Sequence, residues 1–270
     1  MKTRILSAAV MVPGLIAFLV WLPKVCTAVL FGLICAIGAY ELLKGTGLVK
    51  QARLVAYSAL LAFGVSMWSF YGMPYPWFLG GILGYMALLF GELLLSKAKL
   101  SIRSLSMCVV AGFVVPYLLC AVVRIFAFTT GRFLVYAPFI AAFMSDTSAY
   151  FAGRFFGKHK LAPIISPKKT VEGLYGGFLG AVVSMMLYGI ILQFACDLSV
   201  NYFYALIYGL LGSAAGVFGD LCFSAIKRQV GIKDYGNLIP GHGGVLDRFD
   251  SVIMVAPLFE LLFILIPMAV

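Results

Sequence analysis

Nine continuous apolar runs, each about 20 residues long, constrain the fold of this chain more than any other feature. They cover residues 5–22, 25–43, 54–72, 77–95, 105–128, 133–156, 174–196, 202–226 and 251–270. A helix of about 20 apolar residues crosses a hydrocarbon core about 30 Å thick, and lipid offers an irregular backbone no hydrogen-bond partners. Transmembrane β-strands are excluded because they are alternating segments of about 10 residues. We therefore predict an all-α, polytopic integral membrane protein with nine transmembrane helices.

The composition excludes a soluble domain. Of the 270 residues, 63% are hydrophobic and 11% are charged, whereas a soluble domain carries about 25% charged residues. The six cysteines are scattered through apolar runs without a CxxC or metal-binding spacing, which excludes a disulfide-stapled domain. The first run lacks an AxA-like cleavage site at its end, so we expect it to be an anchor and not a signal peptide.

The distribution of lysine and arginine predicts the orientation in the membrane. With nine spans, one side receives all of the 20 Lys and Arg residues except Lys24, Arg124 and Arg132. By the positive-inside rule this side is cytoplasmic. We therefore predict a cytoplasmic N-terminus, a C-terminus outside, and a location in the cell inner membrane.

Two connections are long, residues 157–173 and 227–250, and both are predicted on the cytoplasmic side. We therefore divide the chain into residues 1–132, which contain five N-terminal spans, and residues 133–270, a membrane region with four spans and both long loops. We expect the functional site in this second region, facing the cytoplasm.

Acidic residues inside the spans are candidate functional positions, because each costs at least about 2.5–3.5 kcal/mol at mid-helix. Asp146 and Asp220 both lie in predicted spans, below the cytoplasmic surface. Asp220 belongs to a small or polar stripe formed by residues 212, 216, 220, 224 and 228 of span eight. Such a face either packs helices through small residues or lines a polar cavity whose carboxylates bind a cation.

Two further acids, Glu41 and Glu92, lie near the cytoplasmic ends of spans two and four. A carboxylate at that depth can extend to the interface or pair with a nearby cation. We expect Glu41 to pair with Lys44 and Glu92 with Lys97, or each to reach the interface.

The second long connection has the composition of a loop that binds phosphate and metal. Residues 224–250 contain four Lys or Arg, three Asp and five Gly. Glycine lets backbone N–H groups approach and converge on oxyanions. Asp247 and Asp250 are three residues apart and would share a helix face, and hard oxygen ligands of this kind suit Mg²⁺ held together with substrate phosphates. With the basic Lys168 and Lys169 of the first long connection, this loop predicts a phosphate-rich ligand.

At these residues the chain resembles the phosphatidate cytidylyltransferases, also called CDP-diacylglycerol synthases. The resemblance rests on Ser224-x-Ile226-Lys227-Arg228, Lys233-Asp234, Pro240-x-His242-Gly243-Gly244 and Asp247-Arg248-x-Asp250. Upstream it includes residues 145–150, 153–154, 166–170, 172–173 and 219–220. It covers residues 140–251, whereas spans one to five match only in hydropathy.

The resemblance implies Mg²⁺-dependent transfer of CMP from CTP to phosphatidic acid, which yields CDP-diacylglycerol and pyrophosphate in phospholipid biosynthesis. No protein nucleophile is needed, because a lipid phosphomonoester is already largely dianionic at pH 7. The partners are then CTP, phosphatidic acid and membrane lipid. We expect no nucleic-acid partner, and a homodimer would suit so small a bundle.

The resemblance also implies roles for individual residues. Asp220 and Asp247 are the expected primary metal ligands, of one Mg²⁺ or of a two-cation centre, with Asp146 and Asp250 either as further ligands or as groups that surround and orient the ligands. The groups expected to hold the triphosphate and the lipid phosphate are Lys227, Arg228, Lys233 and Arg248, helped by Lys168, Lys169, Gly243 and Gly244. Ser224 and His242 are expected to orient these groups through hydrogen bonds.

Other functions remain in competition at this point. CTP-dependent lipid kinases would use the same nucleotide chemistry. CDP-alcohol phosphotransferases need a DGxxAR run that this sequence lacks. A transporter of an anionic solute could use buried Asp and basic loops, but here the polar residues are crowded into the last half of the chain and the longest loop lies outside the bilayer.

Overall fold

The computed structural model describes residues 14, 18–19, 21–72, 74–97, 99–239, 241 and 243–269. The helices in chain order are α1 Lys24–Gly45, α2 Ala52–Tyr71, α3 Tyr75–Leu95, α4 Ile102–Val109, α5 Val115–Leu119, α6 Ala121–Ala127, α7 Gly131–Leu134, α8 Ala137–Phe156, α9 Val171–Cys196, α10 Tyr202–Gln229, α11 Leu246–Phe249 and α12 Val252–Leu265. A π-helical segment, Val110–Val114, joins α4 to α5, and two strands, β1 Lys160–Ala162 and β2 Ser166–Thr170, lie between α8 and α9.

Six segments of the described chain are long and apolar enough to cross a membrane, which confirms a helical, multi-pass membrane protein. They are α1, α2, α3, the stretch Ile102–Ala127, α9 and α10. The predicted first span, residues 5–22, falls mostly outside the described residues. Helix α8 is 20 residues long, but Asp146 and Arg154 lower its hydropathy, and α12 has only 14 residues.

Three helix ends differ from the predicted span limits, and the first two lie beside candidate site residues. Helix α10 continues to Gln229 instead of ending at 226, so Lys227 and Arg228 are helical residues. Helix α9 begins at Val171 instead of 174, since the Thr170 side chain accepts a hydrogen bond from the Gly173 N–H at 3.1 Å and caps the helix. The last helix ends at Leu265, five residues before the predicted limit.

The described chain forms two compact units. The first contains the described residues up to Arg124 together with Val230–Arg248, and the second contains Ile125–Gln229 and Phe249 onwards. The long loop after α10 is therefore part of the same unit as the first helices. The assignment of catalysis to residues 133–270, and not to residues 1–132, stays a prediction.

In the first unit, a tyrosine hydroxyl accounts for the π-helical segment. The Tyr85 hydroxyl donates to the Cys108 carbonyl at 2.7 Å and lies 2.8 Å from the Ser58 Oγ. In an α-helix the Cys108 carbonyl would accept from the N–H of Gly112, and a Cβ at Gly112 would lie 2.8 Å from that hydroxyl. The Tyr85 hydroxyl replaces that N–H as the hydrogen-bond donor to the Cys108 carbonyl, and the helix widens at this point.

In the second unit, small residues bring α8, α9, α10 and α12 together. A Cβ at Gly209 of α10 would lie 2.5 Å from the Cα of Val182 in α9. About one turn further along α10, a Cβ at Gly212 would lie 2.9 Å from side-chain atoms of Ala141 in α8 and Phe259 in α12. This close approach is the packing that small residues permit between membrane helices.

A short β-hairpin lies in the first long connection, and the all-α prediction did not include it. Strands β1 and β2 pair in antiparallel fashion, with Lys160 opposite Thr170 and Ala162 opposite Ser166. The hairpin leads directly into α9, because Thr170 both ends β2 and caps the helix. It therefore fixes the position of Lys168 and Lys169 relative to the second unit.

Candidate active site

The carboxylate of Asp220 on α10 has two charged or polar partners within the second unit. Its Oδ2 lies 2.7 Å from the Nζ of Lys169 on β2, and its Oδ1 accepts a hydrogen bond from the Ser224 hydroxyl at 3.0 Å. Asp220 and Ser224 are four residues apart on one helix, so they share a face. Two of the predicted site residues, Lys169 and Ser224, are thus assembled around the carboxylate of a third, Asp220.

A second ion pair lies beside the first. The Nζ of Lys227 is 3.9 Å from the Oδ2 of Asp250, and both side chains are largely buried. Gly219 allows this arrangement, since a Cβ there would lie 2.6 Å from the Asp250 carbonyl oxygen. The Asp250 Oδ1 also accepts from the Ser251 N–H at 2.9 Å.

The second-unit carboxylates repel one another. Burial and the neighbouring Asp220 raise the pKa of Asp250 to about 7, although Lys227 acts in the opposite direction. Asp146, exposed on α8, also raises this pKa. Mutual repulsion of this kind means that an added cation would be strongly favoured among these acids.

The first unit contains a second group of predicted residues, centred on the buried carboxylate of Asp247. Its Oδ2 accepts hydrogen bonds from the backbone N–H groups of Tyr235 at 2.8 Å and Gly244 at 3.0 Å. Gly243 adopts a φ of +85°, a conformation that favours glycine. Asp247 therefore links two parts of the loop, at Tyr235 and Gly244, through hydrogen bonds. Its role as a metal ligand stays a prediction.

The predicted cations differ in their surroundings. The Nε of Arg248 is buried and has no hydrogen-bond partner among the described residues, which suits a group that awaits an anion. Arg228 is exposed, and its Nε donates to the Ile165 carbonyl at 3.2 Å, which joins α10 to the hairpin. Lys168 and Lys233 are exposed. His242 lies outside the described residues.

Among the described residues, no group of three His, Cys, Asp or Glu side chains is arranged to hold a metal ion. Mg²⁺ nevertheless needs only one or two carboxylates, with the remaining ligands supplied by water and substrate phosphates. The carboxylates of Asp220 and Asp250, in a cluster whose charge repulsion is incompletely offset, fit that requirement.

Sequence reasoning missed two acidic residues that hold the loops. Glu41 was expected to reach the interface or to pair with Lys44. It is instead buried, and it accepts hydrogen bonds from backbone N–H groups of the second long loop. Glu172 accepts from the Lys158 and His159 N–H groups and contacts the His159 ring at 2.6 Å, so it closes the first loop. Of these two acids, only Glu172 could have been found from the sequence, because it lies in a segment that resembles the family.

The predicted pairing of Glu92 was wrong. Glu92 lies 3.8 Å from Arg53 and not beside Lys97.

Comparison with known proteins identifies the family. The family model described as "Cytidylyltransferase family" matches residues 2–266. The chain belongs to this family. It is 32% identical to the phosphatidate cytidylyltransferase of Staphylococcus haemolyticus, over 98% of this chain and 99% of that protein.

Two other phosphatidate cytidylyltransferases align over about half of this chain, with higher sequence identity than the full-length relative. The phosphatidate cytidylyltransferase of Staphylococcus epidermidis is 44% identical over 133 residues, 49% of each chain. That of Staphylococcus aureus is 44% identical over 135 residues, again 49% of each chain. Membership in the cytidylyltransferase family makes the chain an enzyme of the nucleotidyltransferase type.

Proposed function

We propose that this enzyme transfers CMP from CTP to phosphatidic acid and releases CDP-diacylglycerol and pyrophosphate. The observation that carries the proposal is the cluster of alternating acids and lysines in the second unit, Lys169 with Asp220 and Lys227 with Asp250. The name of the whole-length relative from S. haemolyticus supports the choice of phosphatidic acid as the acceptor.

In the proposed reaction, one oxygen of the lipid phosphomonoester attacks the α-phosphorus of CTP. The bond between that phosphorus and the oxygen bridging to the β-phosphorus breaks, and pyrophosphate leaves with the electron pair. The attacking oxygen carries no proton in the dianion that predominates at pH 7. A protein base and a protein nucleophile are therefore unnecessary, and catalysis consists of positioning and charge neutralisation.

We assign the neutralisation of this charge to the two lysines of the cluster and to other Lys and Arg residues of the two long loops. Lys169 and Lys227 offer ammonium groups from largely buried positions, where an electrostatic interaction is stronger than in water. Arg248 has an unpartnered Nε with which to bind a phosphate oxygen. We assign Lys168, Arg228 and Lys233 to the incoming triphosphate, the N–H groups of Gly243 and Gly244 to the same ligand, and Ser224 and His242 to orientation.

The acids are proposed to hold Mg²⁺, as one ion or a two-cation centre. Asp220 and Asp250 are the ligands that their mutual repulsion supports best, with Asp146 and Asp247 as further ligands. When bound, the cation would neutralise phosphate charge and polarise the phosphorus–oxygen bonds. The paired lysines would keep the two carboxylates oriented.

We further propose nine membrane crossings with a cytoplasmic N-terminus, an outside C-terminus and a cytoplasm-facing site in the inner membrane. The asymmetry of Lys and Arg between the two sides supports this arrangement. Helix α8, at about 30 Å, has the length for a crossing. Helix α12, at about 21 Å, would need its flanking residues to lie in the interface. A homodimer stays a prediction.

The test is an assay of the purified protein in detergent with CTP, phosphatidic acid and Mg²⁺, with lipid products identified by mass spectrometry. We expect CDP-diacylglycerol, and no product when the Mg²⁺ is chelated. Parallel reactions with diacylglycerol or a polyprenol in place of phosphatidic acid should give nothing. A phosphorylated lipid from either of those alcohols would instead identify a CTP-dependent kinase.

A further inference from the structure

Glu41, near the end of α1, is a buried acid that hydrogen-bonds to a distant segment of the chain. The residue is 5% exposed. Its Oε1 accepts from the Val245 N–H at 3.0 Å, and its Oε2 accepts from the Leu246 N–H at 2.9 Å. A buried carboxylate without such donors would be strongly destabilising. The two backbone N–H groups therefore stabilise the Glu41 carboxylate in its buried position.

Glycines on both sides allow the loop to come this close to α1. A Cβ at Gly236 would lie 2.6 Å from the Glu41 Oε1, and one at Gly244 would lie 2.5 Å from the Oε2. On α1 itself, a Cβ at Gly45 would lie 2.3 Å from the Tyr235 carbonyl oxygen. The loop backbone is therefore in direct contact with the backbone of α1 at Gly45, and Gly236 and Gly244 lie against the Glu41 carboxylate.

Two carboxylates divide three successive backbone donors between them. Asp247 accepts the N–H of Gly244, and Glu41 accepts the next two, those of Val245 and Leu246. Asp247 also accepts the Tyr235 N–H. The conformation of the segment that carries Asp247 and Arg248 thus depends on an acid from the N-terminal helices.

We propose that Glu41 is a positioning residue for the reaction, which holds residues 243–247 of the second long loop in the conformation that Asp247 and Arg248 require. This inference rests on the proposed function, since it assumes that the loop serves the transfer of CMP. It gives the first helices, which the family model also covers, a part in the reaction. Glu41 acts through the backbone and has no contact with substrate.

The test compares Glu41→Gln with Glu92→Gln, a change of the same kind at an acid of α3 outside the loop. Glutamine keeps the size of the side chain but replaces one acceptor oxygen with an NH₂ group, which faces a backbone N–H. We measure hydrogen–deuterium exchange of the peptide containing residues 243–248 in the full-length protein in detergent. We also measure kcat and KM for CTP.

For Glu41→Gln we expect exchange in that peptide to rise about 10-fold or more, as the loss of a hydrogen bond to a charged group implies. The value of kcat should fall by a similar factor. Glu92→Gln should match the wild type in both measurements. Glu41→Asp keeps both carboxylate oxygens, so it should recover part of the activity and of the protection from exchange that Glu41→Gln loses. If Glu41→Gln does not fold, the same measurements are made on Glu41→Asp instead.

Unchanged exchange in Glu41→Gln, or faster exchange with unchanged kcat, would overturn the positioning role. A wild-type protein that makes no CDP-diacylglycerol would contradict the proposed function instead. The exchange measurement needs no activity, so it still decides whether Glu41 holds the loop.

Discussion

The Nζ of Lys169 lies 2.7 Å from the Oδ2 of Asp220, which joins the β-hairpin to the middle of the polar stripe on α10. Lys169 is 22% exposed and Asp220 is 27% exposed. Such a pair is shielded from water in part, so removal of the cation leaves the carboxylate without compensation. The hairpin is therefore more than a connection between helices, because it delivers a cation to the candidate site.

The first prediction follows from this pair. Lys169→Gln should lower kcat/KM for CTP about 100-fold or more, since it removes a charge that both orients Asp220 and faces the phosphates. The matched control is Lys160→Gln, which changes an exposed lysine on the other strand of the hairpin. We expect the control to stay within about twofold of the wild type. Equal losses in both variants would mean that the hairpin contributes only general positive charge.

The second prediction concerns the cation. Asp220→Asn and Asp250→Asn should each raise the Mg²⁺ concentration needed for half-maximal activity by about 10-fold or more, because each removes a charged ligand. Activity is measured against Mg²⁺ concentration at saturating CTP.

Asp197→Asn is the control for these two variants. Asp197 directly follows the last residue of α9 and has a φ of 53°, and asparagine adopts this left-handed conformation readily. We expect the Mg²⁺ curve of Asp197→Asn to overlay that of the wild type. Overlaying curves for Asp220→Asn or Asp250→Asn as well would exclude that residue as a ligand.

The third prediction concerns the π-helical segment of the first unit. Tyr85→Phe removes the hydroxyl that donates to the Cys108 carbonyl, so the free energy of unfolding should fall by about 1 kcal/mol. Thermal unfolding in detergent should then show a Tm lower by about 2 °C or more. Tyr75→Phe, at the exposed start of the same helix, should leave the Tm unchanged. Identical Tm values for all three proteins would mean that the hydroxyl does not stabilise the widened turn.

Several features of the fold could be predicted because they depend on residues close in sequence. Long apolar runs predict spanning helices wherever they occur. The helical spacing of Asp220 and Ser224 predicted that they share a face, and the hydrogen bond between them confirms it. The small residues of the same stripe do pack against other helices, as the contact of Gly212 with Phe259 illustrates.

The missed contacts of Glu41 and Asp220 join residues far apart in sequence. Glu41 is 204 residues from Val245, and an acid near the end of an apolar run looks the same whether it reaches the interface or binds a loop. The partner of Asp220 was missed for a similar reason, since the position of Lys169 depends on a hairpin that charge and proline alone do not predict. The lengths of α9 and α10 differed because a cap and a polar last turn extend helices past their apolar runs.

The central claim is that CMP, and not the terminal phosphate of CTP, is transferred to phosphatidic acid. The most direct measurement supplies the wild-type protein with CTP labelled at either the α- or the γ-phosphorus, in the presence of phosphatidic acid and Mg²⁺. We predict that the α-label appears in the lipid fraction and the γ-label in pyrophosphate. Recovery of the γ-label in lipid, or of neither label outside CTP, would contradict the claim.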